Sequence, residues 1–510
     1  MEKLQKTGNR NIAKNTLFLY CRTLYSIAIS LFTARIILNA LGATDFGIYN
    51  VIGSVVTIFI FLRAAMSNST HRFITFALGE GDFKKLNHIF STTVAIHLFI
   101  SSIIVLLSET IGLWFFYNKI IIPYNRIQAA FWCYQFSVIT CALSVICVPY
   151  DATLIAHEKF EVFAGVQIFT STMNLVIAFF LTITNTDRLF LYGLLLMGVQ
   201  VVNRLFYGFY CSKRFKECHF KLFKDTNLIK EMTSFAGWSL IGNLSVIGYT
   251  QGINILLNMF FGPVINAAVG IAHQIQSAMK NLVSSFQTAV NPQITKSYAS
   301  GEINRLHNLL FSSSKFSFYL LLCMYLPVFL EAEIILKIWL GDVPKFTIVF
   351  LRLILLITLI DTLSNPIGVA NNATGKIKVY QIIEGGLLLL ILPVSYFFLS
   401  RGYNPETVFL VQLAIYIITQ FARIELVKSK LFFSLKQYTT QVLLPVCSVL
   451  IVSALIPLIA FFYSPKTFLG LLFVTSISVF SVLATAFIFG LSNKEKMYIC
   501  EKTKKIRIHS

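Results

Sequence analysis

The stretch Ile271–Asn291 reads IAHQIQSAMKNLVSSFQTAVN. At about 1.5 Å per residue it is long enough to cross the hydrocarbon core of a bilayer, yet it is heavily polar. His273, Gln276, Ser277, Lys280, Ser284, Gln287 and Asn291 recur at spacings of three and four, so on a helix they make one continuous polar stripe. Ala272, Ile275, Ala278, Met279, Leu282, Val283 and Phe286 fill much of the rest. Lys280 falls near the middle, where a lysine facing lipid costs about 3 kcal/mol even on the lenient insertion scale. The stripe is therefore expected to face protein or water inside a helix bundle. The alternative, a soluble amphipathic helix, conflicts with the apolar runs on both sides.

Composition carries that reading to the whole chain. The 510 residues are 56% hydrophobic and 13% charged, with a mean hydropathy of +0.73, where soluble domains carry about 25% charged residues. This predicts an all-α polytopic membrane protein with almost no extramembrane domain. Fourteen spans are expected, over residues 15–40, 48–76, 89–117, 127–148, 162–183, 189–210, 233–260, 266–291, 309–330, 346–370, 377–399, 406–426, 440–463 and 468–490. No cleavable signal peptide is expected before the first. The nine cysteines show neither CxxC nor CxxH spacing, so neither a zinc site nor a disulfide framework is indicated. His97, His273 and Glu109 make no metal spacing, and no cofactor is expected. There is no Walker motif, nucleophile elbow or HExxH, which argues against ATP hydrolysis and against an enzyme.

The net charge of +20 sorts by side. With the N-terminus in the cytoplasm, 26 of the 42 Lys and Arg fall in inner segments, 7 in outer segments and 9 within spans. That is the positive-inside pattern for an even number of spans with both termini inside. It explains most of the charge without nucleic acid. It places Gly81-Asp82 and Lys221 inside, and Asp45 and Asp342 outside.

An internal repeat is visible at an offset of 220 residues. Gly81-Asp82-Phe83-Lys84-Lys85-Leu86 matches Gly301-Glu302-Ile303-Asn304-Arg305-Leu306, and Gly42 falls on Gly262, although Ser91 falls on Phe311. Coincidence between two short glycine turns is the other reading. Six spans separate the turns, so the halves have the same orientation and form parallel repeats, with a site expected at their interface. The domains read 1–211 (six spans), a basic linker 212–232 on the cytoplasmic membrane surface, 233–426 (six spans), 427–490 (two spans) and a basic tail 491–510.

Polar groups within spans are the candidate site. Arg22 shares a stripe with Ser26, Ser30 and Thr33, and Arg35 lies nearer the outer end, either in the site or snorkelling to the interface. Arg63 is mid-span in the second helix. The repeat carries it onto Val283, about one turn from Lys280. Each half thus places a cation at mid-membrane on its second span. Two cations facing one cavity would bind an anion; each could instead be paired privately with a carboxylate of its own half. Asn243 and Asn254 on span seven, with Gln276, Ser284 and Gln287 on span eight, offer hydrogen bonds. Four carboxylates, Glu109, Asp361, Glu384 and Glu425, face nine cations. Asp361 lies beside Pro366, which removes a backbone donor and is expected to kink its helix. A carboxylate at a broken helix suits a proton or sodium ion, and Glu384 is a second candidate; a salt bridge from Asp361 to Arg352 or another cation is the structural alternative.

The stretch Arg35–Gly53, RIILNALGATDFGIYNVIG, resembles the start of polysaccharide-export flippases of the Wzx type. The Gly81-Asp82 turn and Ile335-Leu336-Lys337-Ile338-Trp339-Leu340-Gly341 resemble that family too. It belongs to the multidrug/oligosaccharidyl-lipid/polysaccharide (MOP) superfamily, with the MATE exporters and the lipid II flippase. The resemblance implies two six-helix lobes around a cationic cavity, alternating access and a polyprenyl-diphosphate-linked oligosaccharide as substrate. It also implies a bacterial cytoplasmic membrane, surface-polysaccharide biosynthesis and polysaccharide-assembly proteins as partners besides membrane lipids. Family cations recur on spans one, two and eight, which here hold Arg22 or Arg35, Arg63 and Lys280. MATE exporters often carry an aspartate on span one, and this chain has none there. The alternatives are a cation-coupled multidrug exporter, which would want an acidic cavity, and a membrane polysaccharide polymerase or ligase, for which the outer segment 331–345 is short.

Overall fold

The computed structural model describes residues 2–57, 60–118, 122–221, 225–261, 263–340, 343–493 and 495–497. Among these there is no β-strand. The long helices are α1 (Glu2–Thr57), α2 (Ile60–Glu80), α3 (Phe83–Asn118), α4 (Tyr124–Ala156), α5 (Phe160–Ile183), α6 (Arg188–Arg214), α7 (Thr226–Phe261), α8 (Pro263–Ala299), α9 (Ile303–Leu330), α10 (Thr347–Ala373), α11 (Lys378–Ser400), α12 (Thr407–Lys428), α13 (Leu435–Tyr463) and α14 (Phe468–Gly490). A short helix, Ala332–Leu340, follows α9. Eleven of the fourteen, α3 to α7 and α9 to α14, are long and apolar enough to cross a membrane. The chain is a multi-pass membrane protein. The three helices outside that set, α1, α2 and α8, carry Arg22, Arg63 and Lys280. Gly262, Asp342 and residues 498–510 of the basic tail lie outside the described residues, as does the Arg35 side chain.

Local chemistry sets the breaks. α1 is two helices joined at Gly42, whose φ of 74° and ψ of 167° are open essentially only to glycine. The predicted boundary between the first two spans falls there. The repeated turns share one geometry, with φ of 77° at Gly81 and 74° at Gly301. Asp82 then caps α3 by accepting from the amides of Lys84 and Lys85. Within α10 the helix is interrupted at Leu363, between Thr362 and Ser364. Pro366 lies one turn beyond, in the first turn of the resumed helix.

The chain divides into two compact units, residues 1–243 with 295–301, and 244–294 with 302–510. In the first, α4 is central and packs on α1, α2, α3, α5 and α6. Its core holds the buried Ile104, Phe116, Cys133, Tyr134 and Val145. The Tyr134 hydroxyl donates to the Ser108 carbonyl at a π-turn inside α3, so a widened turn finds a partner for its backbone. In the second unit α12 packs against α10 and α11, while α9 contacts α10, α13 and α14. With lipid as apolar as leucine, close packing and interhelical hydrogen bonds hold such helices together. Large apolar side chains left outward, among them Phe179, Ile183, Leu205, Phe209, Phe462 and Phe480, make the lipid-facing surface.

In the first unit, charges assigned to one side by the positive-inside count meet at one end. Arg126 donates to Asp45 at 2.5 and 2.8 Å and to Asp187 at 2.6 and 3.1 Å, tying three expected outer segments together. At the other end Asn87 donates to the carbonyls of Glu217 and His219, and Lys296 pairs with Glu158 at 2.7 Å.

Candidate functional site

The opening stretch lies within α8, and its two faces separate in part: Gln287 of the polar stripe is buried and Ala278 of the apolar face is exposed. Ala272, Met279 and Val283 are buried against the second unit, while Ser277, Lys280, Asn281 and Ser284 are exposed. Lys280 does not stand alone. Its Nζ donates to Asp361 Oδ2 on α10 at 2.8 Å. Sequence reading gives these two residues separate roles, one for an anion and one for a coupling ion; the fold makes them partners. The partner of Asp361 is thus Lys280 rather than Arg352, whose Nε donates to the Phe329 carbonyl.

A second ion pair lies in the same unit. Arg423 on α12, 4% exposed, reaches Glu384 on α11 with Nη2 at 2.6 Å and Nε at 2.8 Å. It also bonds Ser364 at the α10 break and Gln420, and Ser364 donates to Gln420 at 2.9 Å. Tyr249 of α7 and Tyr416 of α12 share a 2.7 Å hydrogen bond. The result is a charge-balanced polar network over five helices, with Lys280 at its open edge. Lys280 keeps 54% of its side-chain surface exposed and Asp361 keeps 24%. Sequence reading does not single out Arg423, although a signal is there: an arginine inside the apolar run of span twelve needs a partner or a function.

The other predicted polar residues separate into open and structural groups. Gln276 is half-buried, donates to Thr358 at 2.7 Å and shares a hydrogen bond with His273. Gln287 is buried, and its Nε2 is used on Ser317 at 3.1 Å and the Thr362 carbonyl at 3.2 Å. Ser284 is exposed. Asn254 is half-buried, with its carbonyl accepting from Asn266 at 2.8 Å. Asn243 is half-buried and closes the first unit's main segment.

In the first unit, Arg22 is half-buried, donates to Thr23 at 3.1 Å and stands 5.7 Å over the Phe163 ring. Ser26 and Tyr25 bond Ser171 and Thr172 on α5, extending a polar seam from the arginine. Arg63 is half-buried on α2. Among the described residues neither Arg22 nor Arg63 has a carboxylate within ion-pair distance. Glu109 of this half accepts from Gln135, while Asp151 on α4 lies in electrostatic reach of Arg63 without an ion-pair contact among the described residues. Among the described residues no group of three or more His, Cys, Asp or Glu is placed to hold a metal ion.

These helices define a class: a polytopic helical membrane protein with cation-bearing polar helices in each of two units. The fold is that of MATE transporters of the MOP superfamily. It matches a MATE protein in the bent conformation at a TM-score of 0.71 and 13% identity, over 83% of this chain and 95% of that one. It matches an outward-facing multidrug resistance MATE family transporter at 0.71 and 13%, over 82% and 96%. A MOP superfamily transporter from Pyrococcus furiosus, described by the reverse polarity of its binding pocket, matches at 0.65 and 14%, over 82% and 96%. No family model and no curated protein matches the sequence.

Proposed function

We propose that this chain is a flippase that carries polyprenyl-diphosphate-linked oligosaccharides across a bacterial cytoplasmic membrane by alternating access, for surface-polysaccharide assembly. The observation that carries the reading is the charge of the first unit. Arg22 and Arg63 stand half-buried on α1 and α2, each without a carboxylate in ion-pair distance among the described residues, with Asp151 in longer electrostatic reach of Arg63. A diphosphate cannot cross hydrocarbon unaided, because burying its charge is very costly. Guanidinium groups answer it with charge-assisted, bidentate hydrogen bonds. Lys280 adds a reachable cation, and Gln276, Ser284 and the half-buried Asn243 and Asn254 offer hydrogen bonds to sugars. Asp361 is the candidate coupling group for a proton or sodium ion, with Glu384 the second. Both termini are placed in the cytoplasm, and polysaccharide-assembly proteins are the expected partners.

The test is complementation of surface-glycan export in cells lacking their own flippase, with expression measured in parallel. Arg63→Ala and Lys280→Ala should each lose most export. Arg63→Lys should be milder yet impaired, because lysine cannot form the fork, and Lys280→Arg should be tolerated. Well-expressed alanine variants at both positions that export normally would overturn the reading. The second reading, a cation-coupled multidrug exporter, is favoured by one observation: the Lys280–Asp361 pair neutralises the mid-membrane cation of α8. It predicts drug resistance on expression and no effect on glycan export.

A further inference from the structure

We propose that Lys280 and Asp361 are an exchange pair. An anionic diphosphate takes Lys280 away from Asp361, and Asp361 then takes up a proton, so that substrate and proton bind together. The inference rests on the diphosphate substrate proposed above and adds how its binding is coupled.

The geometry leaves Asp361 little else to do. Its hydrogen-bonded cation is Lys280, at 2.8 Å. Lys280 is a flexible lysine with half its side chain open, so an anion arriving along the polar stripe can reach it. The other cations of this unit near α10 cannot take its place. Arg423 acts on Asp361 electrostatically, but its guanidinium is held by Glu384, Ser364 and Gln420. Arg352 is held by the Phe329 carbonyl and stands over the Phe329 ring. Lys315 of α9 is paired with Glu495. Among the described residues, the remaining titratable groups in electrostatic reach of Asp361 are Tyr249, Tyr380 and Tyr416, all neutral as phenols. A half-buried carboxylate that has lost its ammonium partner is costly to keep charged, and a proton from water neutralises it. Before exchange the set is one ammonium and one carboxylate. Afterwards it is the ammonium with one phosphate charge, beside a neutral carboxylic acid, so this set stays neutral, and the second charge of the diphosphate is left for another cation.

The sign of the coupling is specific. Anion and proton favour each other, and by reciprocity protons must tighten the anion as much as the anion tightens protons. A carboxylate that a cationic substrate and a proton contend for would give the opposite sign.

The experiment uses the full chain in nanodiscs and geranyl-diphospho-N-acetylglucosamine, a diphosphate diester that keeps both charges across the neutral range. Titration calorimetry in two buffers of different ionisation enthalpy counts the protons. The wild type should take up about one proton per ligand, with Kd falling by up to about tenfold per pH unit of acidification. Asp361→Asn should bind with no uptake and a flat pH profile. Infrared difference spectra should show a protonated carboxyl band on binding. The same band should be present without ligand in Lys280→Met and missing from the Lys280→Met/Asp361→Asn double variant. Binding without proton uptake, or a Lys280→Met protein lacking the band, overturns the exchange and leaves the substrate reading standing. A folded wild type that does not bind the diphospho-sugar overturns the substrate reading, and the exchange falls with it.

Discussion

Pro366 has no amide hydrogen, so the carbonyl four residues back, at Thr362, loses its helical partner. Gln287 on α8 supplies the missing donor at 3.2 Å and anchors itself on Ser317. The polar stripe therefore does two jobs. Its exposed residues, Ser277, Lys280 and Ser284, are open to a ligand, while the buried Gln287 mends a broken neighbour. Removing Gln287 should leave an unsatisfied carbonyl in a low-dielectric interior, a loss of about 1 kcal/mol. Gln287→Ala should thus lower the midpoint of thermal unfolding in detergent. Pro366→Ala restores the amide and should recover much of that loss in the double variant. Simple additivity of the two single variants would refute the link, because it would show that the two positions do not share one hydrogen bond.

At the scale of elements, the segment just beyond α14 is tied to α9 by a buried ion pair, beside the packing of α9 on α13 and α14. Lys315, 6% exposed on its side chain, bonds Glu495 at 2.8 Å just beyond α14. Ser312 and the amide of Ser492 complete the carboxylate's shell. Burial pushes the Glu495 carboxyl up, but the bonds from Lys315 and Ser312 outweigh it, and the group is held below its ordinary value. A depressed carboxylate stabilises the fold above its unfolded value and loses that contribution as pH falls through the folded one. Wild-type stability should therefore show an acid limb below about pH 4 that Glu495→Gln lacks. Glu495→Ala should cost about 3 kcal/mol by stranding the lysine, whereas Lys315→Met/Glu495→Leu should cost much less. Equal losses in the single and double variants would mean that the pair contributes through packing alone.

At the scale of the molecule, the distribution of lysine and arginine makes one topology prediction. Cysteines placed at Lys221 should react only from the cytoplasm, and at Asp45 only from outside. Labelling of Lys221→Cys in intact cells by an impermeant reagent would reverse the orientation. In the first unit the structure already groups the expected outer residues Asp45, Arg126 and Asp187 at one end and Asn87, Glu158 and Glu217 at the other. The helical, membrane-spanning character of the chain, the boundary at Gly42, the twin turns at Gly81 and Gly301 and the break beside Pro366 were all legible in the amino-acid order. Each is a local matter: apolar length, a φ that only glycine tolerates, a missing amide. The partners of the charges were not legible. Lys280 and Asp361 are 81 positions apart and Arg423 and Glu384 are 39. Which carboxylate meets which cation depends on how helices cross, and helical periodicity fixes a residue's face without naming the helix opposite. The sequence by itself determined where charge enters the membrane. Only the tertiary structure decided that Lys280 and Arg423 are neutralised in pairs while Arg22 and Arg63 have no carboxylate in ion-pair distance among the described residues, because a charge in a low-dielectric bundle is settled by its neighbours in space.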